Sequence, residues 1–241
     1  MSVFVLVHGA WQGASTWDWV AAQLRAAGHA VYTPLLTGLG AHAHRLTPDI
    51  NLSTHIQDVV SLLEYEDLKH VTLVGHSYAG MIITGVAEAA SERLARLVYV
   101  DAFVPQDGQS VLQLLPAPFQ QAFRAQADAE GDGWRLKASE RQLDLWGLKD
   151  PLARAFVRSK LCDFSLNCFA ESLNLPTNAA AQLDRTYIAC TAEDYPARVA
   201  FQPFATQAQQ AGWPYFELPT GHDCHVEMPE EFSQILLNLN S

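Results

Sequence analysis

The stretch from Val71 to Gly80, V-T-L-V-G-H-S-Y-A-G, constrains the fold more than any other part of the chain. An apolar, β-branched run over Val71 to Val74 stops at Gly75, and the residues from Ala79 to Ala90 suit a helix. Strand must therefore pass to helix across His76, Ser77 and Tyr78. A turn that sharp forces its central residue, Ser77, into an exposed and strained position, and strand and helix can pass only if the flanking residues two before and two after are small. Gly75 and Ala79 fill those places; alanine stands where glycine is more usual, and Gly80 follows it. The start of the helix adds backbone N–H groups and the positive end of its dipole.

The rest of the chain repeats the same strand–helix rhythm. Val3 to Val7 is a continuous apolar run of the kind buried on both faces of a parallel sheet. Trp17, Val20, Ala21 and Leu24 then fall at i, i+3, i+4 and i+7, one face of a helix. Ala30 to Tyr32 reads as a strand, Ile56, Val59, Val60 and Leu63 as a helix face, and Leu97 to Val100 as a strand. Tyr187 to Cys190 and Tyr215 to Leu218 add two more strands, and Phe232, Ile235, Leu236 and Leu239 mark a last helix. About six strands alternating with helices predict an α/β fold, a mostly parallel sheet with helices on both faces.

Between Phe103 and Arg185 the rhythm breaks. No strand pattern shows, but Phe119 to Ala127 and Pro151 to Leu161 look helical. A stretch this long is no connecting loop in a compact domain. It is expected to be an inserted helical cap, residues 103–185, over a core made of residues 1–102 and 186–241. The cap carries Phe119, Phe123, Trp134, Trp146, Phe156, Phe164 and Phe169, some of which are expected to line a pocket beneath it.

Composition removes several classes of function. Lys and Arg total 15 against 26 Asp and Glu, a net charge of −11, so a phosphate backbone would be repelled. Only 17% of residues are charged, below the usual ~25%, and 49% are hydrophobic, which suits a large core with an apolar cavity. The apolar run at the N-terminus meets His8 too soon for a signal peptide. No run approaches the ~18 apolar residues of a membrane span, so the expected location is cytoplasmic. Four cysteines (162, 168, 190, 224) form no C-x-x-C pair and read as free thiols; nothing requires a Cys162–Cys168 bridge. His42 and His44 lack a third ligand and read as loop residues, so neither a metal nor another cofactor is expected.

At this point the chain resembles the α/β-hydrolases, and within them small cap-bearing esterases similar to plant methyl-ester esterases and hydroxynitrile lyases. The resemblance covers nearly the whole length. It rests on H-G-A-W from His8, T-G-L-G from Thr37, G-H-S-Y-A-G from Gly75 and T-G-H-D from Thr220, with the serine early and the histidine late. It implies a serine hydrolase acting on a small, largely apolar or aromatic ester through an acyl-enzyme. Ser77 would be the nucleophile and His222, on the loop after the last strand, its base; His225, three residues on, is the lesser choice. The backbone N–H groups of Ala10 and Tyr78 would form the oxyanion hole.

The acid stays open among three carboxylates. Most of the family holds it after the later strand, where Glu193 and Asp194 stand, and Asp194 precedes His222 by 28 residues (222 − 194). Some haloalkane dehalogenases hold it at the earlier strand end, where Asp101 stands. A carboxylate at a buried strand end is costly unless paired, which favours Asp101. Two alternatives sit on the same fold. A hydroxynitrile lyase would need a threonine and a lysine where this chain has Gly9 and Asp223. A non-enzymatic binding protein could use the capped cavity as a receptor. The resemblance also leaves room for a homodimer.

Overall fold

The computed structural model describes residues 1–239. Strands β1 (Val3–Val7), β2 (Ala30–Tyr32), β3 (Val71–His76) and β4 (Leu94–Val100) alternate with helices α1 (Asp18–Ala26), α2 (Leu52–Tyr65) and α3 (Ala79–Ala90). The middle segment holds α4 (Val111–Leu114), α5 (Ala117–Glu130), β5 (Arg135–Leu136), α6 (Glu140–Leu145), α7 (Pro151–Lys160), β6 (Phe164–Ser165) and α8 (Asn167–Ala170). The chain closes with β7 (Asp184–Cys190), α9 (Arg198–Gln210), β8 (Tyr215–Leu218), α10 (Cys224–Glu227) and α11 (Pro229–Asn238).

Six strands form one sheet in the order β2-β1-β3-β4-β7-β8, and every pairing in it is parallel. Every residue of β3 is buried, as its unbroken apolar run requires of a central strand covered on both faces. Helix α1 packs with α11 and α2 with α3, which covers the two faces of the sheet. The strand order reverses beside β1, whose neighbours are β2 and β3. In open parallel sheets that reversal leaves a crevice beyond the carboxyl ends of the strands. Ser77 follows β3 there, next to the end of β1.

The middle segment differs from expectation in one detail. Arg135–Leu136 and Phe164–Ser165 pair as a short antiparallel ribbon. Two residues per strand leave no period to read, so the sequence pattern could not show it. The predicted helices are present, the first longer than expected and the second one residue shorter: α5 runs Ala117–Glu130 and α7 runs Pro151–Lys160. All four cysteines are free thiols. No helix among the described residues is long and apolar enough to cross a membrane.

Candidate active site

Three residues outside glycine adopt left-handed backbone at the ends of three neighbouring strands: Trp11 (φ 61°) after β1, Ser77 (φ 59°) after β3 and Asp101 (φ 41°) after β4. Such conformations cost of order 1–3 kcal/mol each and gather at sites where geometry matters. The elbow at Ser77 is stitched down by its N–H to the Val100 carbonyl (3.0 Å) and by the Phe103 N–H to its own carbonyl (3.3 Å). The small residues around it are required by contact. A Cβ on Gly75 would stand 2.7 Å from the Ala79 carbonyl oxygen, and one on Gly80 would stand 2.0 Å from that of Phe103. A Cβ on Gly9 would stand 3.0 Å from the Ser77 Cβ and 3.2 Å from His76 Nδ1, which leaves no easy room for the lyase threonine.

His222 is buried, and its Nδ1 lies 2.7 Å from Asp101 Oδ2. The Tyr195 hydroxyl donates to the same carboxylate oxygen at 2.7 Å and lies 2.9 Å from His222 Nδ1. Asp101 Oδ1 accepts the Cys190 N–H at 3.4 Å. Burial, with the Asp101 charge beside it, holds the Tyr195 phenol well above its ordinary range, so it stays a donor. The imidazole lies nearly parallel to the rings of Phe201 (4.6 Å between centroids) and Tyr195 (5.7 Å). The His222 N–H donates to the Trp146 carbonyl at 2.7 Å, tying the histidine loop to the middle segment.

The structure does not bring the other candidate acids to His222. The Asp194 side chain is 56% exposed and forms an ion pair with Lys149; Glu193 is exposed. What that turn contributes is Tyr195, which the sequence reading missed. Its only signal was its place directly after Asp194, the alternative acid. His225 is buried against Trp17 (4.2 Å between centroids), and burial lowers its pKa to about 3. His76 turns away from the cavity and its Nε2 donates to the His222 carbonyl at 3.0 Å; burial keeps it neutral, its pKa well below the ordinary value. Asp223 is buried and accepts from Gln12 Nε2 at 2.8 Å, so it cannot serve as the lyase lysine would.

His76, Asp223 and His225 form the one three-residue group among the described residues that could hold a metal ion. His76 Nε2 and Asp223 Oδ1 are 3.9 Å apart, whereas bonds of 2.1 Å to zinc would draw such a pair to roughly 3.4 Å. Binding through that nitrogen would also break its bond to the His222 loop. His42 and His44 stand together on a short helical turn with ring centroids 6.4 Å apart and no third ligand among the described residues.

Ser77 and His222 line one cavity of about 800 Å³. Phe119, Phe123, Trp146 and Phe169 of the middle segment line it too, with Trp11 and Phe201 from outside that segment. Phe164 is buried against Trp11 and Tyr78, whereas Phe156 packs at a tilt on Trp19 outside the cavity and Trp134 carries the Arg135 guanidinium. Trp11 joins the two parts: its carbonyl accepts the Cys162 N–H at 2.9 Å and its indole N–H donates to the Leu136 carbonyl at 3.3 Å. The backbone N–H groups of Ala10, on the loop after β1, and of Tyr78, the residue after the serine, have no hydrogen-bond partner among the described residues.

This arrangement of strand ends, elbow and buried histidine–carboxylate pair is that of an α/β-hydrolase, and the model of the alpha/beta hydrolase family matches residues 4–235; the chain belongs to that family. It is 38% identical over 250 residues to the carbendazim hydrolyzing esterase of Nocardioides sp. (strain SG-4G), covering 99% of this chain and 100% of the relative. Methylesterase 7 of Arabidopsis thaliana is 36% identical over 104 residues, 42% of this chain and 40% of that one. Among solved structures, an extracellular α/β-hydrolase from a Paenibacillus species, described as homologous in structure and function to tobacco salicylic acid binding protein 2, superimposes with a TM-score of 0.85. It is 27% identical and covers 99% of this chain and 98% of its own. Family and full-length relative together place the chain among hydrolases of the esterase kind.

Proposed function

We propose that the protein is a serine-dependent carboxylic ester hydrolase acting on a small, largely apolar or aromatic ester. One observation carries the reading: a serine on a left-handed elbow shares a cavity with a histidine whose far nitrogen rests on a buried carboxylate. Asp101 holds the proton on Nδ1 of His222, which leaves Nε2 free to act as a base. Ser77 Oγ attacks the ester carbonyl while Nε2 takes its proton. The N–H groups of Ala10 and Tyr78 receive the oxyanion, and His222 returns the proton to the departing alcohol. Water then attacks the acyl-enzyme by the same route and frees the acid. No cofactor enters the scheme.

The middle segment, residues 103–185, acts as the cap that keeps this chemistry dry. Its aromatic side chains at the cavity favour an apolar or aromatic group on the substrate. The relatives' names point the same way, since they are esterases acting on carbendazim and, by name, methyl esters. The test is a panel of aryl and alkyl methyl and p-nitrophenyl esters run on wild type and Ser77→Ala, with a fluorophosphonate label on both. Wild type should turn over the aryl members and take the label. Ser77→Ala should lose at least ~10³ in kcat and take none. Turnover that survives in the variant refutes the proposal.

A further inference from the structure

We infer that Tyr195 is a positioning residue for His222: by donating to the carboxylate oxygen of Asp101 that also holds the imidazole, it sets how tightly the base keeps its proton. The inference rests on the serine-hydrolase reading above. Tyr195 Oη, Asp101 Oδ2 and His222 Nδ1 form a closed triangle with sides of 2.7, 2.7 and 2.9 Å. The phenol has one proton to give. With Asp101 ionised and Nδ1 protonated, that proton goes to Oδ2 as a charge-assisted hydrogen bond. It draws negative charge away from the oxygen facing the imidazole. A carboxylate so shared stabilises an imidazolium less than a bare one does, so the base releases its proton more readily.

The phenol is well fixed for this task. Tyr195 is 3% exposed, and Gly147 lies against it so closely that a Cβ there would stand 3.1 Å from the Tyr195 Cα. Two residues on, the Ala197 N–H donates to the Leu145 carbonyl at 2.9 Å, which clamps the turn to the middle segment.

Other titratable groups crowd the array from each packed element. His76 faces the imidazole from β3 at 4.4 Å between centroids, Cys190 from β7 through its thiol on the His222 carbonyl, and Asp223 and His225 follow His222 in the chain. Tyr187 and Tyr215 approach Asp101 from β7 and β8. Burial keeps His76 and His225 neutral and Tyr187, Tyr215 and Cys190 protonated, and it raises the Asp223 carboxyl.

Tyr195→Phe deletes one oxygen and keeps the ring. The acid limb of the kcat/KM profile is expected to move up by about half to one pH unit, the share of a charge-assisted hydrogen bond felt at the imidazole. The plateau kcat should fall roughly tenfold or less while KM stays nearly constant. A limb that stays where wild type has it, or moves down, overturns the inference even if activity falls, because a merely structural role would leave it unmoved. A second readout is independent of turnover. In Ser77→Ala protein with labelled histidine, the ring signals absent from a His222→Gln sample belong to His222, and their titration midpoint should rise when Tyr195→Phe is added. An unchanged midpoint again overturns the inference. Turnover by Ser77→Ala alone would sink the mechanism and leave this titration to decide the role of Tyr195.

Discussion

Replacing Asp101 by asparagine tests the assignment of the acid most directly, and the structure says why the loss should be large. Asp101 Oδ2 accepts from His222 Nδ1 and Tyr195, and Oδ1 accepts the Cys190 N–H. An asparagine has one oxygen for three donors. If its oxygen faces His222, its NH₂ meets the Cys190 N–H, donor to donor. If its NH₂ faces His222, Nδ1 must accept, the ring proton moves to Nε2, and the base faces Ser77 already protonated. Tyr195 deepens the fault, because a phenol without its carboxylate can donate to the same Nδ1 at 2.9 Å and favour the same wrong tautomer.

We expect Asp101→Asn to lose about 10³–10⁴ in kcat, or roughly 4–5.5 kcal/mol of transition-state stabilisation. Asp194→Asn removes only an exposed pair with Lys149 and should stay within about twofold of wild type. Both variants are measured side by side on one aryl ester, with circular dichroism and thermal unfolding to show that each is folded. A crippled Asp194→Asn beside an active Asp101→Asn would refute the reasoning and move the acid to the later strand.

Two further expectations concern stability. His8 and His225 are fully buried, and burial holds their pKa values at about 4 and about 3, below the unfolded value of 6.5. The unfolded chain therefore binds more protons than the folded one below pH 6.5, so stability falls with pH through that window. By pH 4.5 the loss from these two should be on the order of 5 kcal/mol. Glu227, whose pKa burial raises to about 6, works in the opposite direction and trims it. Urea unfolding at pH 7 and pH 4.5 checks the sign, and equal or greater stability at the lower pH contradicts it. Gly80→Ala should destabilise by more than about 3 kcal/mol or fail to give soluble protein, since its Cβ would meet a backbone oxygen at 2.0 Å. An unfolding midpoint near that of wild type would show that the elbow can shift.

The main sheet was legible in the sequence because its strands are buried on both faces and so carry unbroken apolar runs. The elbow was legible because sterics leave few residue choices at Gly75 and Ala79. Limits were reached where position depends on distant parts of the chain. As sequence, Asp101 at a strand end and Asp194 shortly after a strand both remained candidates, with only the cost of burial favouring Asp101. They differ because one ends a central strand and the other lies in a turn within reach of Lys149. Tyr195 was invisible for a related reason, since a tyrosine in a polar turn reads as surface until the fold closes β7 beside β4. The aromatic residues of the middle segment were visible as a group, but which of them face Ser77 depends on how short helices pack.

On the proposed mechanism, the place of the acid follows from what a base requires of its partner. A carboxylate that orients an imidazole must itself be held, and the end of β4 holds Asp101 firmly. Its own N–H donates to the Ile188 carbonyl on β7 at 2.7 Å. The next residue, Ala102, receives the Tyr187 hydroxyl at its carbonyl (3.0 Å) and donates its N–H to the same oxygen (3.1 Å). Burying the charge at 2% exposure costs several kcal/mol. Two charge-assisted hydrogen bonds, from His222 and Tyr195, return roughly 1.5–3 kcal/mol each. The turn after β7 could not hold a carboxylate in this way, since its acids are solvated and one is paired with Lys149. On that mechanism the two strands divide the work: β4 supplies the charge, and the turn after β7 supplies an uncharged donor that completes its pairing.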